Sequence, residues 1–336
     1  MKLNNPKISV VLAVYNGEEY LKKAIQSILD QTFSDFELIV VDDGSTDDTE
    51  SVLNSFSDDR IVRIKNEKNL GLIKSLNKGI QSARGEFLAR MDADDISYPD
   101  RFEKQIAFLG EHREVGVLGT TVHHTDEGGR VISTLIEPLT HAGIVWGMFF
   151  ECSIIHPTVM MRKDIILSAG GYDINFPHIE DTELWMRIVS KTRFANLPEV
   201  LHEHRLHRGS IGNTQSDTQL RLSLILRSRF IQETIQKNIS PNVNRWFSLN
   251  ETILSPSEIE EGMSLLSWIY EYVSWGGLPD ETTRKFIEGD YLQRKRFLKK
   301  GGDNIATKRI IGVLKKMLSA PLRHKLKTKF GKFFGI

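Results

Sequence analysis

"ISVVLAVYNGEEYLKKAIQSILDQTFSDFELIVVDDGS", residues 8–45, changes its hydrophobic period twice. Ile8–Val14 is a continuous apolar run, the pattern of a strand covered on both faces. Glu18–Asp30 then carries Tyr20, Leu21, Ala24, Ile25, Ile28 and Leu29 at helical spacing. Phe36–Val41 returns to an apolar run and gives way to Asp42-Asp43-Gly44-Ser45-Thr46, residues that favour turns. Strand, helix and strand in that order predict a parallel pair joined by a right-handed crossover.

The unit recurs downstream. A helix is expected over Asp47–Phe56, a strand over Ile61–Lys65, and a helix over Gly71–Ala83 with Leu72, Leu76, Ile80 and Ala83 on one side. Glu86–Met91 reads as the next strand. Pro99 reads as a first-turn proline of a helix running to about Glu111, and Val115–Gly119 as another strand. This alternation predicts an α/β fold with a mostly parallel sheet. Past residue 115 the rhythm loosens into short strands at Val131–Leu135, Val159–Arg162 and Val200–His204. Helices are expected at Asp164–Ala169, closed by Gly170-Gly171, and at Thr182–Ser190. From about Thr218 the chain reads as mainly helical, over Leu220–Ile235, Ser257–Ser274 and Asp280–Leu298. A boundary is expected near residue 215.

Composition narrows the function classes. With 40% hydrophobic and 26% charged residues, the 336-residue chain has a globular make-up. Cys152 is the only cysteine, so no internal disulfide framework exists and a reducing, cytoplasmic setting is expected. Ile8–Val14 lacks the cleavage site of an export signal. The apolar stretch 142–161 contains Glu151, His156 and Pro157, which argue against a membrane span. The formal net charge of zero conceals a basic end. Residues 292–336 hold 14 Lys and Arg against Asp303 alone, leaving residues 1–291 thirteen charges negative.

In open α/β sheets ligands gather at the carboxyl ends of the strands. Tyr15-Asn16, Asp42-Asp43 and Asp92–Asp95 are all expected there. "EFLARMDADD", residues 86–95, ends in Asp92, Asp94 and Asp95. A turn or helix cap accounts for one carboxylate. A divalent cation accounts for three, because Mg²⁺ takes oxygen ligands from carboxylates and substrate phosphates. An acid after strand two suits a ribose hydroxyl or a base N–H, although a plain turn would also hold it. Neither a G-x-G-x-x-G nor a P-loop motif follows strand one, where "AVYNGEEY" stands.

These residues, with "NLGLIKSLNKGIQSARGEFLARMDADD" and "IEDTELWMR", resemble the family 2 glycosyltransferases of the inverting GT-A fold from about Pro6 to Asn213. The resemblance implies a GT-A catalytic domain over residues 1–215, with a nucleotide-binding half to residue 115 and an acceptor-binding half beyond it. Residues 216–336 would form a mainly helical region ending in a basic amphipathic tail. It implies a hexosyltransferase that moves a sugar from a nucleotide donor, a UDP-sugar by preference, to a saccharide or lipid-linked saccharide in surface polysaccharide or glycoconjugate synthesis.

Carried over residue by residue, the resemblance puts Tyr15 and Asn16 in the nucleotide site, lined by the backbone of Ala13 and Val14. Asp43 would read the base, with Asn69 and Gly71 bordering it. The D-x-D motif falls on Asp92, Ala93 and Asp94, with Asp95 adjacent; either Asp94 or Asp95 would be the main ligand of an Mg²⁺ or Mn²⁺ ion. Asp181 would be the general base. The bland reading of Glu180-Asp181 is an N-cap with a first-turn acid. In "HEHRLH", His207 is the expected metal-side residue, whereas His202 and His204 take strand-edge roles. His156, Gly171, Tyr172 and Glu180 are expected near donor or acceptor, and Trp185 in the core.

In the basic end, Ile310, Ile311, Val313, Leu314, Met317 and Leu318 alternate with Lys in a helical pattern broken at Pro321. That pattern, with Phe330, Phe333 and Phe334, suits an anionic membrane surface. A solvated tail is the plainer reading, and no nucleic-acid motif accompanies the charge. Two other functions share parts of this pattern. One is a non-catalytic nucleotide-sugar-binding assembly subunit. The other is a sugar nucleotidyltransferase, which would want a glycine-rich basic loop after strand one.

Overall fold

The structure is a computed structural model, and it describes residues 5–207, 216–249, 254–275 and 277–299. Strands β1 (Ile8–Val14), β2 (Phe36–Asp42), β3 (Ile61–Lys65) and β4 (Phe87–Asp92) lie side by side in the order β3-β2-β1-β4, all parallel. Their crossovers are α1 (Leu21–Leu29), α2 (Thr49–Asn54) and α3 (Leu72–Ser82). Every residue of β2 is buried, as its continuous apolar run requires.

Beyond β4 the sheet becomes mixed. It continues through β8 (Met160–Arg162), β6 (Val115–Thr125) and β9 (Arg193–Arg205) to β5 (Ile96–Ser97), with β7 (Val131–Leu135) paired to β6. β8 runs antiparallel to both neighbours, while β6 and β9 are parallel. Three differences from the sequence reading have local causes. α4 spans Arg101–Glu111 with Asp100 at its N-cap, so Pro99 precedes the helix instead of opening it. β9 begins at Arg193, seven residues before the expected Val200. Its register slips between Thr120 and Thr121 of β6, which lets Pro198 and Glu199 pass without breaking the strand. β9 is also an interior strand, flanked by β6 and β5, so the strand-edge role expected of His202 and His204 does not hold.

The apolar stretch 142–161 contains α5 (His141–Met148), a helix buried on almost every side. A 3₁₀ turn at His156–Thr158 leads from it into β8. α6 (Lys163–Ser168) follows and ends at Gly170 and Gly171, both at positive φ. α7 (Glu180–Ile188) then precedes β9. The C-terminal helices are α8 (Ser216–Ile235), α9 (Pro241–Leu249), α10 (Pro256–Ser274) and α11 (Glu281–Lys299). They cover α5: Trp146 donates from Nε1 to Asp290 at 2.8 Å, and Arg227 donates to the Phe150 carbonyl. One hydrophobic core therefore runs from the α3 face of the sheet through α5 into α8–α11. Among the described residues no helix is long and apolar enough to cross a membrane. The basic amphipathic segment from Lys308 lies outside the described residues.

Candidate active site

Parallel register brings the strand ends level. Val14 of β1 stands opposite Asp42 of β2, and Ala13 stands opposite Asp92 of β4. Tyr15-Asn16, Asp42-Asp43 and Asp92–Asp95 thus meet along one carboxyl edge, where an open sheet binds ligands. Asn16 adopts a left-handed φ of 52°. Its Oδ1 accepts the Thr46 N–H at 2.9 Å and its own N–H donates to Ser45 Oγ at 3.0 Å, tying the first two strand-end turns together. The Tyr15 ring beside it is exposed.

Asp43 is buried and heavily engaged. It accepts hydrogen bonds from Asn66 Nδ2 at 2.7 Å, Leu70 N at 2.9 Å and Gly71 N at 2.8 Å. A carboxylate offers about four acceptor positions, so roughly one is left for a ligand. Asp43 thereby shapes the loop that presents exposed Asn69, while Gly71 takes a φ of 90° that suits glycine. Gly44, at φ 74°, lets the turn after β2 pack on this loop; a Cβ there would lie 2.5 Å from the Lys68 carbonyl carbon.

Asp92 closes β4, Ala93 and Asp94 form a turn, and Asp95 follows. Oxygens of the three carboxylates lie within 4.8 Å of one another. Their environments differ. Asp95 is fully buried, with Oδ2 2.8 Å from His202 Nε2 and Oδ1 accepting the Arg205 N–H at 2.9 Å. Arg101 Nη1 sits 3.5 Å from the other His202 nitrogen, Nδ1. Arginine can only donate, so Nδ1 accepts and Nε2 carries the proton given to Asp95. Burial, and then the Arg101 charge, hold His202 neutral by lowering its pKa well below the usual value. Covered by β5, His202 is a buried strut beneath the acid cluster. His204 instead packs its ring against His124.

Asp94 is half-buried, and its Oδ2 lies 2.8 Å from His207 Nε2. Arg205 Nε donates to the Asp94 carbonyl at 2.9 Å, and its guanidinium covers the Tyr20 ring. Asp92 forms an ion pair with Arg90. Burial, with the Asp92 and Asp95 charges, raises Asp94 to about 6 against the pull of His207. Burial raises Asp95 to about 7. The shared cause is negative charge crowded away from water without enough positive charge opposite it. Oxygen-only donors in this state fit Mg²⁺ or Mn²⁺.

The second acidic centre opens α7. Glu180 and Asp181 are its first two residues and Ile179 is the N-cap, so the acids are first-turn residues and Asp181 is not the cap. Asp181 Oδ1 accepts the Thr182 N–H at 2.6 Å and lies 3.2 Å from Thr182 Oγ1. Burial raises Asp181 above the carboxylate range; burial and then the Asp181 charge push Glu180 up to about 7. Beside this pair, buried His156 meets the Tyr172 hydroxyl from Nε2 at 2.7 Å. The Tyr172 N–H donates to Asn77 Oδ1 at 2.9 Å, and Gly171, at φ 74°, leaves that amide room. Trp185 is 1% exposed and sits in the core, as its spacing indicates.

Sequence reasoning passed over Arg90 and Arg205 and gave His202 only a strand-edge role. The signal for Arg90 was its position, a lone charge inside the apolar run "FLARM".

Comparison with known proteins bears on the family and the fold. The family model described as Glycosyl transferase family 2 matches residues 9–167. The amylovoran biosynthesis glycosyltransferase AmsE of Erwinia amylovora is 35% identical over 240 residues, covering 68% of this chain and 90% of AmsE. Among solved structures, S. aureus TarS 1-349 in complex with UDP-GlcNAc aligns with a TM-score of 0.58 at 18% identity, covering 88% of this chain and 90% of that one. The mannosyltransferase PcManGT of Pyrobaculum calidifontis, in complex with GDP-Man and Mn²⁺, aligns with a TM-score of 0.52 at 14% identity over 95% of this chain and 83% of that one. The mixed sheet with flanking helices is the GT-A architecture. The chain is therefore a glycosyltransferase and belongs to glycosyl transferase family 2.

Proposed function

We propose that the protein moves a sugar from a UDP-sugar to a hydroxyl of a saccharide, free or lipid-linked, with inversion, in the synthesis of a surface polysaccharide or glycoconjugate. The observation that carries this reading is the meeting of the β1, β2 and β4 ends at an acid cluster that has a second, raised acidic pair nearby. AmsE's part in amylovoran biosynthesis supports the polysaccharide class, and the UDP-GlcNAc held by TarS supports the donor class.

Tyr15 offers a ring face to the base, and the remaining acceptor position of Asp43 suits the uracil N–H. Asp92 and Asp94 face the ribose, the sugar and the diphosphate. We assign Asp94 as the principal ligand of a divalent ion, because it is half-buried, whereas Asp95 is fully buried with each oxygen turned to His202 or Arg205. Bound there with the aid of His207, such an ion would neutralise charge on the leaving diphosphate. Asp181, deprotonated, takes the proton from the acceptor hydroxyl as that oxygen bonds to the anomeric carbon and the nucleoside diphosphate departs from the other face. One displacement inverts the centre without a covalent sugar–enzyme intermediate.

A panel of UDP-, dTDP- and GDP-sugars tests this. The expected result is release of UDP from one UDP-sugar with Mn²⁺ or Mg²⁺ present, stopped by a chelator. Release of pyrophosphate would overturn it in favour of a nucleotidyltransferase. The 14 basic residues beyond 291 support work on the inner face of an anionic membrane, where a lipid-linked acceptor resides. Deleting residues 308–336 should abolish co-sedimentation with phosphatidylglycerol vesicles. Unchanged co-sedimentation would remove the membrane from this account.

A further inference from the structure

β4 alternates. Phe87, Ala89 and Met91 enter one core, while Leu88 enters the other, on the α3 side. Arg90 and Asp92 continue the Leu88 face towards the carboxyl end. A guanidinium is thereby placed in a core, 4% exposed, and costs free energy unless its donors are met. The Asp92 ion pair meets part of that need. The pair engages Nη1; among the described residues, Arg90 Nε has no hydrogen-bond acceptor.

Glu180 Oε2 and Trp185 Nε1 are among the other buried polar atoms that share this condition. All three residues border one place. The Arg90 charge acts on Glu180, Asp181 and His156, and the Trp185 ring lies 6.2 Å from the His156 ring. The unmet groups are N–H donors on Arg90 and Trp185 and a carboxylate acceptor on Glu180. A hydroxyl both accepts and donates, so a polyhydroxylated ring satisfies all of them. The transferred sugar has to sit between the leaving diphosphate at Asp92–Asp94 and the base Asp181, and Arg90 is the buried cation with a hand on both sides.

We propose that Arg90 is a donor-specificity residue whose guanidinium, anchored by Asp92, donates from Nε to a hydroxyl oxygen of the transferred sugar. This rests on the nucleotide-sugar reading of the site. A structural ion pair for Asp92 would require only charge, whereas sugar recognition requires the guanidinium fork.

Arg90→Lys separates the two, because it keeps the cation beside Asp92 and removes Nε. The probes are UDP with UDP-GlcNAc, and GDP with GDP-mannose, titrated calorimetrically with Mn²⁺ into the full chain. For the pair that binds, Arg90→Lys should raise the ratio of nucleotide-sugar Kd to nucleotide Kd about tenfold, the scale of one charge-assisted hydrogen bond. The nucleotide Kd itself should stay within about threefold, and Arg90→Met should raise the ratio at least as far. An unchanged ratio, or equal weakening of nucleotide and nucleotide sugar, overturns the inference while leaving the nucleotide-sugar reading intact. Failure of the wild-type chain to bind any of the four probes overturns that reading, and this inference with it.

Discussion

Asp181→Asn should lower sugar transfer by about 10²–10⁴-fold, the usual contribution of a general base. The Kd for the donor should stay within about threefold, because the nucleotide contacts proposed for Tyr15, Asp43 and Asp94 lie across the sheet end. Asparagine keeps the Oδ1 that accepts the Thr182 N–H, so the first turn of α7 survives. It also removes a charge that burial disfavours, so denaturant stability should not fall.

The pH profile carries the same assignment. As the proposed general base, Asp181 would work only when deprotonated, and burial raises its pKa. Activity is therefore lost as pH falls through a value above the ordinary carboxylate range, and that apparent value belongs to the Glu180–Asp181 pair. Glu180→Gln should move the acid limb of kcat/KM to lower pH by removing the adjacent negative charge. Turnover within tenfold of wild type in Asp181→Asn would end the role given to Asp181 and pass the base to another group.

How far the site could be read in advance depended on what each residue answers to. Phe36–Asp42 is apolar because both faces are covered, so local pattern and tertiary position agree. The acids at the β2 and β4 ends follow from the same logic, since a parallel sheet delivers all its strand ends to one edge. α5 was invisible as a helix because C-terminal helices cover the side that would otherwise be polar, which erases the 3.6-residue period. β9 was seen only in part because Pro198 reads as a break, and the bulge opposite it is set by β6. His202 read as peripheral because its partners, Asp95 and Arg101, lie 107 and 101 residues away in sequence. Such pairings have no local signature. Arg90 had one, a charge inside a buried strand, but what it faces became apparent only once α7 was in place.

Separating Asp94 from Asp95 gives the other large expected effect, and the two substitutions should fail in opposite ways. Asp95→Ala leaves the His202 Nε2–H and the Arg205 N–H without acceptors in a fully buried place. Each orphaned donor costs about 1–3 kcal/mol, so unfolding in urea should show a loss on the order of 2–4 kcal/mol. Relief of one buried negative charge sets the lower end of that range, and the weaker compensation left for Arg101 sets the upper. Asp94→Ala removes a half-buried side chain whose side-chain partner among the described residues, His207, is itself near solvent, so stability without added metal should change by less than about 1 kcal/mol. Its loss should appear in metal linkage. Wild-type protein at an Mn²⁺ concentration 100-fold over Kd should gain about 2.7 kcal/mol. Asp94→Ala should gain almost none of this, and its turnover should fall at least 100-fold because the leaving diphosphate loses its counter-charge, a term of about 2.7 kcal/mol or more. Should Asp94→Ala keep the Mn²⁺ stabilisation while Asp95→Ala folds normally and loses it, the assignments must be exchanged. His202 would then be a support for the metal ligand itself, and His202→Ala would weaken Mn²⁺ binding about 10–100-fold.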